Sequence, residues 1–203
     1  MGEPTLRVDA MPFRPSVVGV CGSFREASTT RAALRHALAA AEAAGAEAEL
    51  VDLRAYDLPP YGGVDRDAGD ASALRRRLAA ADAVVLGSPI YHGTIASPLK
   101  TALDYCGFDE FEDTLVGIVV TAGGRFPTPA VLHLRTVARW VRAWVHPTHV
   151  GIPNAGDVVE DGVVVDDDYA DRLGTLGREM AQYAAVGRLP ELLDEHGPEP
   201  VRS

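Results

Sequence analysis

The chain has 203 residues, which is enough for one sizeable hydrophobic core and does not require a second domain. Hydrophobic residues make up 47% and charged residues 24%, a composition typical of a globular domain. No apolar run approaches the roughly 20 residues needed to cross a bilayer, and no signal-peptide pattern opens the chain, so we expect a cytoplasmic location. The formal net charge of −10 argues against nucleic acid or a membrane as partner, because both favour basic surfaces.

Strand and helix patterns alternate along most of the chain. We expect a flexible leader at residues 1–15, a single domain at 16–186 and a peripheral C-terminal tail at 187–203. Hydrophobic periodicity separates short apolar runs, typical of buried strands, from longer amphipathic segments, typical of helices. In chain order the predicted elements are strand Val17–Cys21, helix Thr29–Ala44, strand Glu47–Asp52, helix Ala68–Ala81, strand Ala83–Ser88, a helix with Ser97 as N-cap and Pro98 as its first residue, strand Leu115–Thr121, helix Pro129–Val145, strand His149–Ile152, a hairpin over 158–165 and helix Ala170–Ala185.

This alternation predicts an α/β fold with a doubly wound, five-stranded parallel sheet and helices on both faces. Ligands of such sheets bind at the carboxyl ends of the strands, so the loops after the first, third and fourth strands are the candidate site. Cys21 and Cys106 have neither metal-ligand spacing nor a disulfide framework. We therefore predict two reduced, mostly buried thiols and no metal site.

The loop after the first strand combines hydroxyl groups with one guanidinium directly before a helix. Ser23, Ser28, Thr29 and Thr30 can donate hydrogen bonds, and Arg25 can neutralise a dianion. A helix N-terminus leaves backbone N–H groups unpaired and favours a phosphate. The loop lacks both the dinucleotide glycines and the Walker lysine, so a terminal monophosphate fits it best. In the alternative interpretation, Ser28 or Thr29 only caps the helix and Arg25 is a solvated surface charge.

The loops after the third and fourth strands offer a place for a flat ring. Residues 89–93 are Pro89, Ile90, Tyr91, His92 and Gly93, which supply a stiff backbone, a ring surface, polar edges and room for close approach. The paired glycines Gly123 and Gly124 can expose N–H groups to a ligand edge, although a tight turn would also explain them. Lys100 and Asp104 lie four residues apart on one helix, which favours a structural ion pair.

These motifs together resemble the NADPH-dependent FMN reductase family of flavodoxin-like proteins, from about residue 17 to residue 152. Gly22, Ser23, Arg25 and Ser28 match the family's Gly-Ser-x-Arg-x-x-Ser-x-Asn phosphate loop, with Thr30 where asparagine is usual. Pro89-Ile90-Tyr91-His92 resembles the Pro-Glu-Tyr-Asn motif, and a Leu-Lys-x-x-x-Asp helix follows it at Leu99 to Asp104. In the loop after the fourth strand, Gly123 and Gly124 match the family's third, glycine-containing motif, with Arg-Phe-Pro following where further glycine is common.

The resemblance implies a flavodoxin-like fold and an FMN-dependent NAD(P)H oxidoreductase. Hydride would pass from NADPH or NADH through bound FMN to a small-molecule acceptor such as a flavin or a quinone. The flavin carries the chemistry, so we nominate no catalytic acid or base. The resemblance also implies a homodimer or homotetramer. Trp140 and Trp144 are one turn apart on the predicted helix 129–145, and we expect at least one in the core and the other at a subunit contact.

Two alternatives stay open from the sequence. A flavodoxin-type electron carrier would bind FMN on the same sheet without oxidising NAD(P)H, although Arg25 argues against it because flavodoxin loops usually use hydroxyls and N–H groups alone. A regulatory or binding protein without flavin is the second alternative, and it would be colourless and take up no added FMN.

Overall fold

The structure is a computed structural model, and it describes residues 14–188. Most of the predicted leader (1–15) and of the predicted C-terminal tail (187–203) lies outside these residues. No helix in the described part of the chain is long and apolar enough to span a membrane.

A twisted, mostly parallel sheet forms the centre of the fold. The strands of this sheet are β1 (Ser16–Cys21), β2 (Glu47–Asp52), β3 (Ala83–Tyr91), β4 (Thr94–Ile95), β5 (Leu115–Thr121), β6 (Trp144–Val145) and β7 (Val150–Ile152). The main strands lie in the order β2-β1-β3-β5-β6, with β4 added to β3 and β7 added to β5. This confirms the predicted doubly wound α/β topology, in which right-handed crossovers leave the carboxyl ends of the parallel strands at one edge.

Helices cover both faces of the sheet, as predicted. The helices are α1 (Thr29–Ala43), α2 (Ala71–Ala79), α3 (Ser97–Tyr105), α4 (Phe108–Phe111), α5 (Thr128–Trp140), α6 (Ala155–Val158) and α7 (Asp167–Tyr183). Helices α1 and α7 enclose one buried cluster, which includes Val17, Val85 and Val119. Helices α2, α3 and α5 enclose a second cluster, which includes Val18 and Val84. Alternate strand residues enter opposite cores because side chains of a strand point to opposite faces.

Two details of the sheet differ from the five-strand prediction. The fifth strand is split into β6 and β7, both parallel to β5. Pro147 lies in the gap between them and has no N–H to donate to the ladder, which ends the first segment. The third strand continues three residues past Ser88 and turns back as β4, which pairs with it antiparallel. The predicted hairpin at 158–165 is confirmed as β8 (Val159–Glu160) paired with β9 (Val163–Val164).

Two helix starts were predicted wrongly for local reasons. Helix α2 begins at Ala71 and not at Ala68, because Gly69 adopts a left-handed φ of +56°. Helix α3 has Ala96 as its N-cap, so Ser97 is its first residue and makes no capping hydrogen bond. Pro98, in the first turn, brings no N–H that would need a cap. Lys100 and Asp104 form the predicted ion pair.

The helix predicted over 129–145 ends at Trp140. Arg142 adopts a left-handed φ of +63°, and the N–H of Ala143 returns to the carbonyl of Ala138 at 3.0 Å, which closes the helix without a glycine. Trp144 therefore lies on β6, not on the same helix as Trp140. Their exposed fractions are 82% for Trp140 and 49% for Trp144, so the expectation of a core position for one of them was wrong.

Both cysteines are free thiols, as predicted. Burial raises the pKa of the Cys21 thiol, and burial together with the nearby Glu110 raises the pKa of Cys106 to about 12. A thiol with a raised pKa stays protonated, and the protonated form is a poor nucleophile. We expect neither thiol to react with an aromatic disulfide reagent at about pH 8 in the folded protein, and both to react in urea. Rapid titration of either thiol without denaturant would contradict this.

Candidate functional site

The loop between β1 and α1 (residues 22–28, the phosphate loop) lies at the carboxyl edge of the sheet. Ser28 is the N-cap of α1, and its Oγ accepts the N–H of Arg31 at 3.1 Å. Ser28 therefore caps the helix, and because its hydroxyl still has its own hydrogen to donate, its predicted contact with an anion stays a prediction. Among the described residues, the backbone N–H groups from Phe24 to Ala27 donate to no other group. The loop thus presents a set of free donors at a helix N-terminus, where an anion is favoured.

A cavity of about 620 Å³ opens beside this loop. Its lining includes nine of the twelve residues predicted for the site, which come from the three loops singled out in the sequence: Ser23, Arg25, Thr29, Thr30, Pro89, Ile90, Tyr91, Gly123 and Gly124. The structure therefore brings together residues up to 101 positions apart in the chain. The remaining three, Ser28, His92 and Gly93, do not line the cavity.

His92 and Gly93 form the turn between β3 and β4. Their φ angles are +50° and +80°, and the flanking Tyr91 and Thr94 pair across the hairpin. Two consecutive residues of positive φ are typical of a two-residue turn that matches the twist of the strands. Gly93 thus serves the turn, and its predicted contact with a ligand stays a prediction. Thr94 is also hydrogen-bonded to His133 of α5, which fixes the hairpin to the helix behind it.

The floor of the cavity contains a pair of buried hydroxyls. Oγ1 of Thr30 and Oγ1 of Thr121 lie 2.6 Å apart, and both residues are almost fully buried. One hydroxyl donates to the other, so the pair keeps one hydrogen for a further acceptor. Thr121 was missed by the sequence analysis because it closes an apolar strand and carries no motif. The sequence signal that could have identified Thr121 is its position two residues before the predicted glycine pair, at the carboxyl end of a strand.

The wall opposite the phosphate loop consists of backbone and small residues. Gly123 and Gly124 follow β5, and neither N–H donates to another described residue. The N–H of Asn154 donates to the carbonyl of Gly124 at 2.9 Å, and the N–H of Ala155 to that of Ala122 at 2.8 Å. The segment after β7 therefore closes the cavity, and Ala155 and Gly156 line it. Sequence reasoning left this segment out, although the carboxyl-end rule applies to the last strand as well.

Two arginines of this region have opposite surroundings. Arg25 is exposed, lines the cavity and forms no ion pair with another described residue. Arg31 is buried and was missed by the sequence analysis, because an arginine in the first turn of a helix is usually solvated. Its guanidinium binds the carboxylate of Asp52 at 2.8 Å and the carbonyl oxygens of the phosphate loop. Burial alone would raise the pKa of Asp52, but hydrogen bonds from Arg54 and Arg31 outweigh it and lower that pKa.

These features match the two ends of FMN. The Thr29 hydroxyl suits a terminal phosphate dianion, as do the loop N–H groups and the Arg25 guanidinium, which have no partner among residues 14–188. Pro89, Ile90 and Tyr91 form an apolar edge of the cavity that would suit a flat ring, and the N–H groups of Gly123 and Gly124 could donate to the polar edge of such a ring. A fold of this kind with this donor set defines the class of flavodoxin-like, FMN-binding proteins.

Comparison with known proteins identifies the family within that class. The sequence profile of the NADPH-dependent FMN reductase family matches residues 15–157. An FMN-dependent NADPH-azoreductase of Staphylococcus aureus is 30% identical over 137 residues, which cover 64% of this chain and 73% of the relative. The chain belongs to the NADPH-dependent FMN reductase family, and it is an FMN-dependent oxidoreductase that uses a nicotinamide nucleotide.

Solved structures agree on the fold. A flavoenzyme NAD(P)H:(acceptor) oxidoreductase from Paracoccus denitrificans aligns with a TM-score of 0.70 at 20% identity, covering 85% of this chain and 98% of that chain. A flavone reductase aligns with a TM-score of 0.69 at 18% identity, covering 83% of this chain and 62% of that chain. At these identities the likeness concerns the fold, which confirms the flavodoxin-like prediction.

Proposed function

We propose that this protein holds FMN in the cavity between the phosphate loop, β3 and the loop after β5. With NAD(P)H as the electron donor, it would reduce a small planar acceptor there. The single observation that carries the proposal is a set of N–H donors around Arg25 that have no partner in the described part of the chain, next to a cavity large enough for a flavin ring. FMN, when bound, supplies the hydride chemistry. The chain's own residues bind and orient it.

In this proposal the roles of the site residues follow from their positions. Arg25, Ser23 and Thr29 bind the phosphate, and the Thr30–Thr121 hydroxyl pair donates its remaining hydrogen at the cavity floor. Pro89, Ile90 and Tyr91 support the ring. Tyr91 is 46% exposed and Phe126 is 76% exposed, so neither closes the cavity, and its mouth stays open to a second planar molecule.

We propose azo compounds as candidate electron acceptors in addition to flavins and quinones. The support is the azoreductase relative, which is 30% identical to this chain over 137 residues. Each of these acceptors is flat and accepts a hydride or two electrons. An open cavity mouth bordered by Tyr91 and two glycines suits stacking of a flat molecule and places few other requirements on the acceptor.

The electron-carrier alternative is not favoured. The family profile covers the chain from before β1 to the residues after β7. The exposed Arg25, which pairs with no carboxylate among residues 14–188, lies in the loop that resembles the family's phosphate loop. To test the proposal, the FMN-loaded protein is mixed with NADPH and a quinone, and nicotinamide absorbance is followed. We expect oxidation well above that of an equal concentration of free FMN. Oxidation equal to the free-flavin control would contradict the reductase activity.

We further propose that the protein forms a homo-oligomer through the outward face of α5. Leu132, Thr136 and Trp140 follow one another at four-residue spacing on this face, and Trp140 is 82% exposed. Large exposed aromatic groups are enriched at protein interfaces. Light scattering after gel filtration should give a dimer or tetramer mass for the wild type and a lower mass for Trp140→Glu. The control Val64→Glu, which changes a residue in an exposed loop, should keep the wild-type mass.

A cytoplasmic location is part of the same proposal, because the activity consumes nicotinamide nucleotides.

A further inference from the structure

Arg31 lies behind the phosphate loop and does not line the cavity. It is 5% exposed. Its Nε donates to Oδ2 of Asp52 at 2.8 Å, and its two Nη atoms donate to the carbonyl oxygens of Ser23, Arg25 and Glu26 at distances of 2.9–3.2 Å. These are five hydrogen bonds, as many as the guanidinium has N–H groups, so Arg31 has no donor left for a ligand.

These hydrogen bonds determine which way the peptide units of the loop face. The described residues contain no cis peptide bond, and in a trans peptide the N–H points opposite to the carbonyl of the same unit. The carbonyls of Ser23, Arg25 and Glu26 face Arg31. The N–H groups of the same three peptide units, which belong to Phe24, Glu26 and Ala27, therefore face away from it. Since these N–H groups donate to no other described group, they are available to an anion.

Asp52 fixes the other end of this arrangement. It is the last residue of β2, and its carboxylate holds Arg31 while it also accepts hydrogen bonds from Arg54. Arg31 therefore connects the phosphate loop to a strand of the central sheet. Without this connection, three loop carbonyls would have no cation to face, and the peptide units could rotate.

We propose that Arg31 is a positioning residue for phosphate recognition: it turns the carbonyls of the loop towards itself and so directs the loop's N–H groups to the phosphate of the flavin. Arg25 contacts the anion from the cavity side, whereas Arg31 acts only through the backbone. The inference rests on the proposed function, because it takes the phosphate of FMN to lie in this loop.

The comparison of FMN with riboflavin tests this role, because riboflavin has the same ring and lacks the phosphate. Both flavins are titrated into the apoprotein, with binding followed by quenching of flavin fluorescence. For Arg31→Met we expect FMN affinity to fall by about tenfold or more, while riboflavin affinity stays within about twofold. Arg31→Lys keeps the charge and one group of donors, so it should recover part of the preference for FMN. The matched control Arg77→Met removes an exposed arginine paired with Glu49 and should keep the full preference.

The outcomes separate this inference from the proposed function. If the wild type binds FMN no more tightly than riboflavin, the loop does not hold the phosphate, and the proposed cofactor placement fails as well. If the wild type prefers FMN and Arg31→Met keeps that preference, or loses both flavins equally, the positioning role is overturned and the proposed function stands. If circular dichroism shows that Arg31→Met does not fold, the variants Arg31→Lys and Asp52→Asn test the positioning role in its place. Both should reduce the preference for FMN, and an unchanged preference in both would overturn the role.

Discussion

Replacing Arg25 with alanine is expected to weaken FMN binding by about 1.5–3 kcal/mol, the contribution of a hydrogen bond to a charged group. The guanidinium lines the cavity and has no carboxylate partner among the described residues, so its charge is available to the phosphate. Its removal leaves the free N–H groups of the loop as the main donors. The dissociation constant of FMN, measured by fluorescence quenching, should rise by about tenfold to a hundredfold.

The matched control for this prediction is Arg139→Ala. Arg139 is also exposed, but it lies in the last turn of α5, at the edge of the sheet opposite the phosphate loop. The change in net charge is the same, so a long-range electrostatic effect would appear in both variants. FMN affinity equal to the wild type in Arg25→Ala would mean that the phosphate lies elsewhere.

Replacing Gly177 with alanine is expected to be the most destabilising of the substitutions considered. Gly177 lies where α7 packs on α1, and a Cβ at this position would be 1.9 Å from the carbonyl oxygen of Ala37 and 3.0 Å from Cβ of Ala40. Backbone atoms cannot move aside as a flexible side chain can, so the helices must separate. We expect a loss of about 3 kcal/mol, at the upper end for overpacked cores. The melting temperature should fall by roughly 6–12 °C.

Gly174→Ala is the control on the same helix, one turn earlier. A Cβ there would meet only Nη1 of Arg178, at 3.3 Å, and that side chain can move. Alanine is the better helix former by about 0.5–1 kcal/mol, so this variant should melt at a higher temperature than the wild type. The two glycine substitutions therefore have opposite predicted signs. Equal melting temperatures for both variants would contradict the close approach of α1 and α7.

Much of the fold was predictable because parallel strands buried on both faces give a strong hydrophobic pattern. The bounds of β2 and β5 were predicted to the residue, since polar residues or turn signals flank each run. The failures occurred where backbone conformation overrode the pattern. Arg142 ends α5 in a left-handed conformation, which the sequence does not predict because no glycine lies at this position. Helix α2 begins later than predicted because Gly69 also has a positive φ.

The site was predictable where chemistry accumulates in a short segment at a strand end. Ser23, Arg25 and Thr29 lie together in sequence, and the doubly wound topology directs attention to their loop. Arg31 and Thr121 were not predictable in the same way. The proposed role of Arg31 depends on three carbonyls that only the folded loop turns towards it, and Thr121 acquires a partner, Thr30, 91 residues away. Ala155 and Gly156 have no chemical signature and contribute only shape.

A flavin half-reaction without oxygen tests most directly whether the protein passes electrons from a nicotinamide nucleotide through FMN. The protein is loaded with FMN, freed of excess flavin and mixed anaerobically with NADPH or NADH, and the visible absorbance of oxidised flavin is recorded. We expect the flavin to bleach completely with at least one of the two nucleotides, and a quinone added afterwards to restore the colour. Flavin that binds tightly but stays oxidised with both nucleotides would contradict the assignment as an FMN-dependent oxidoreductase.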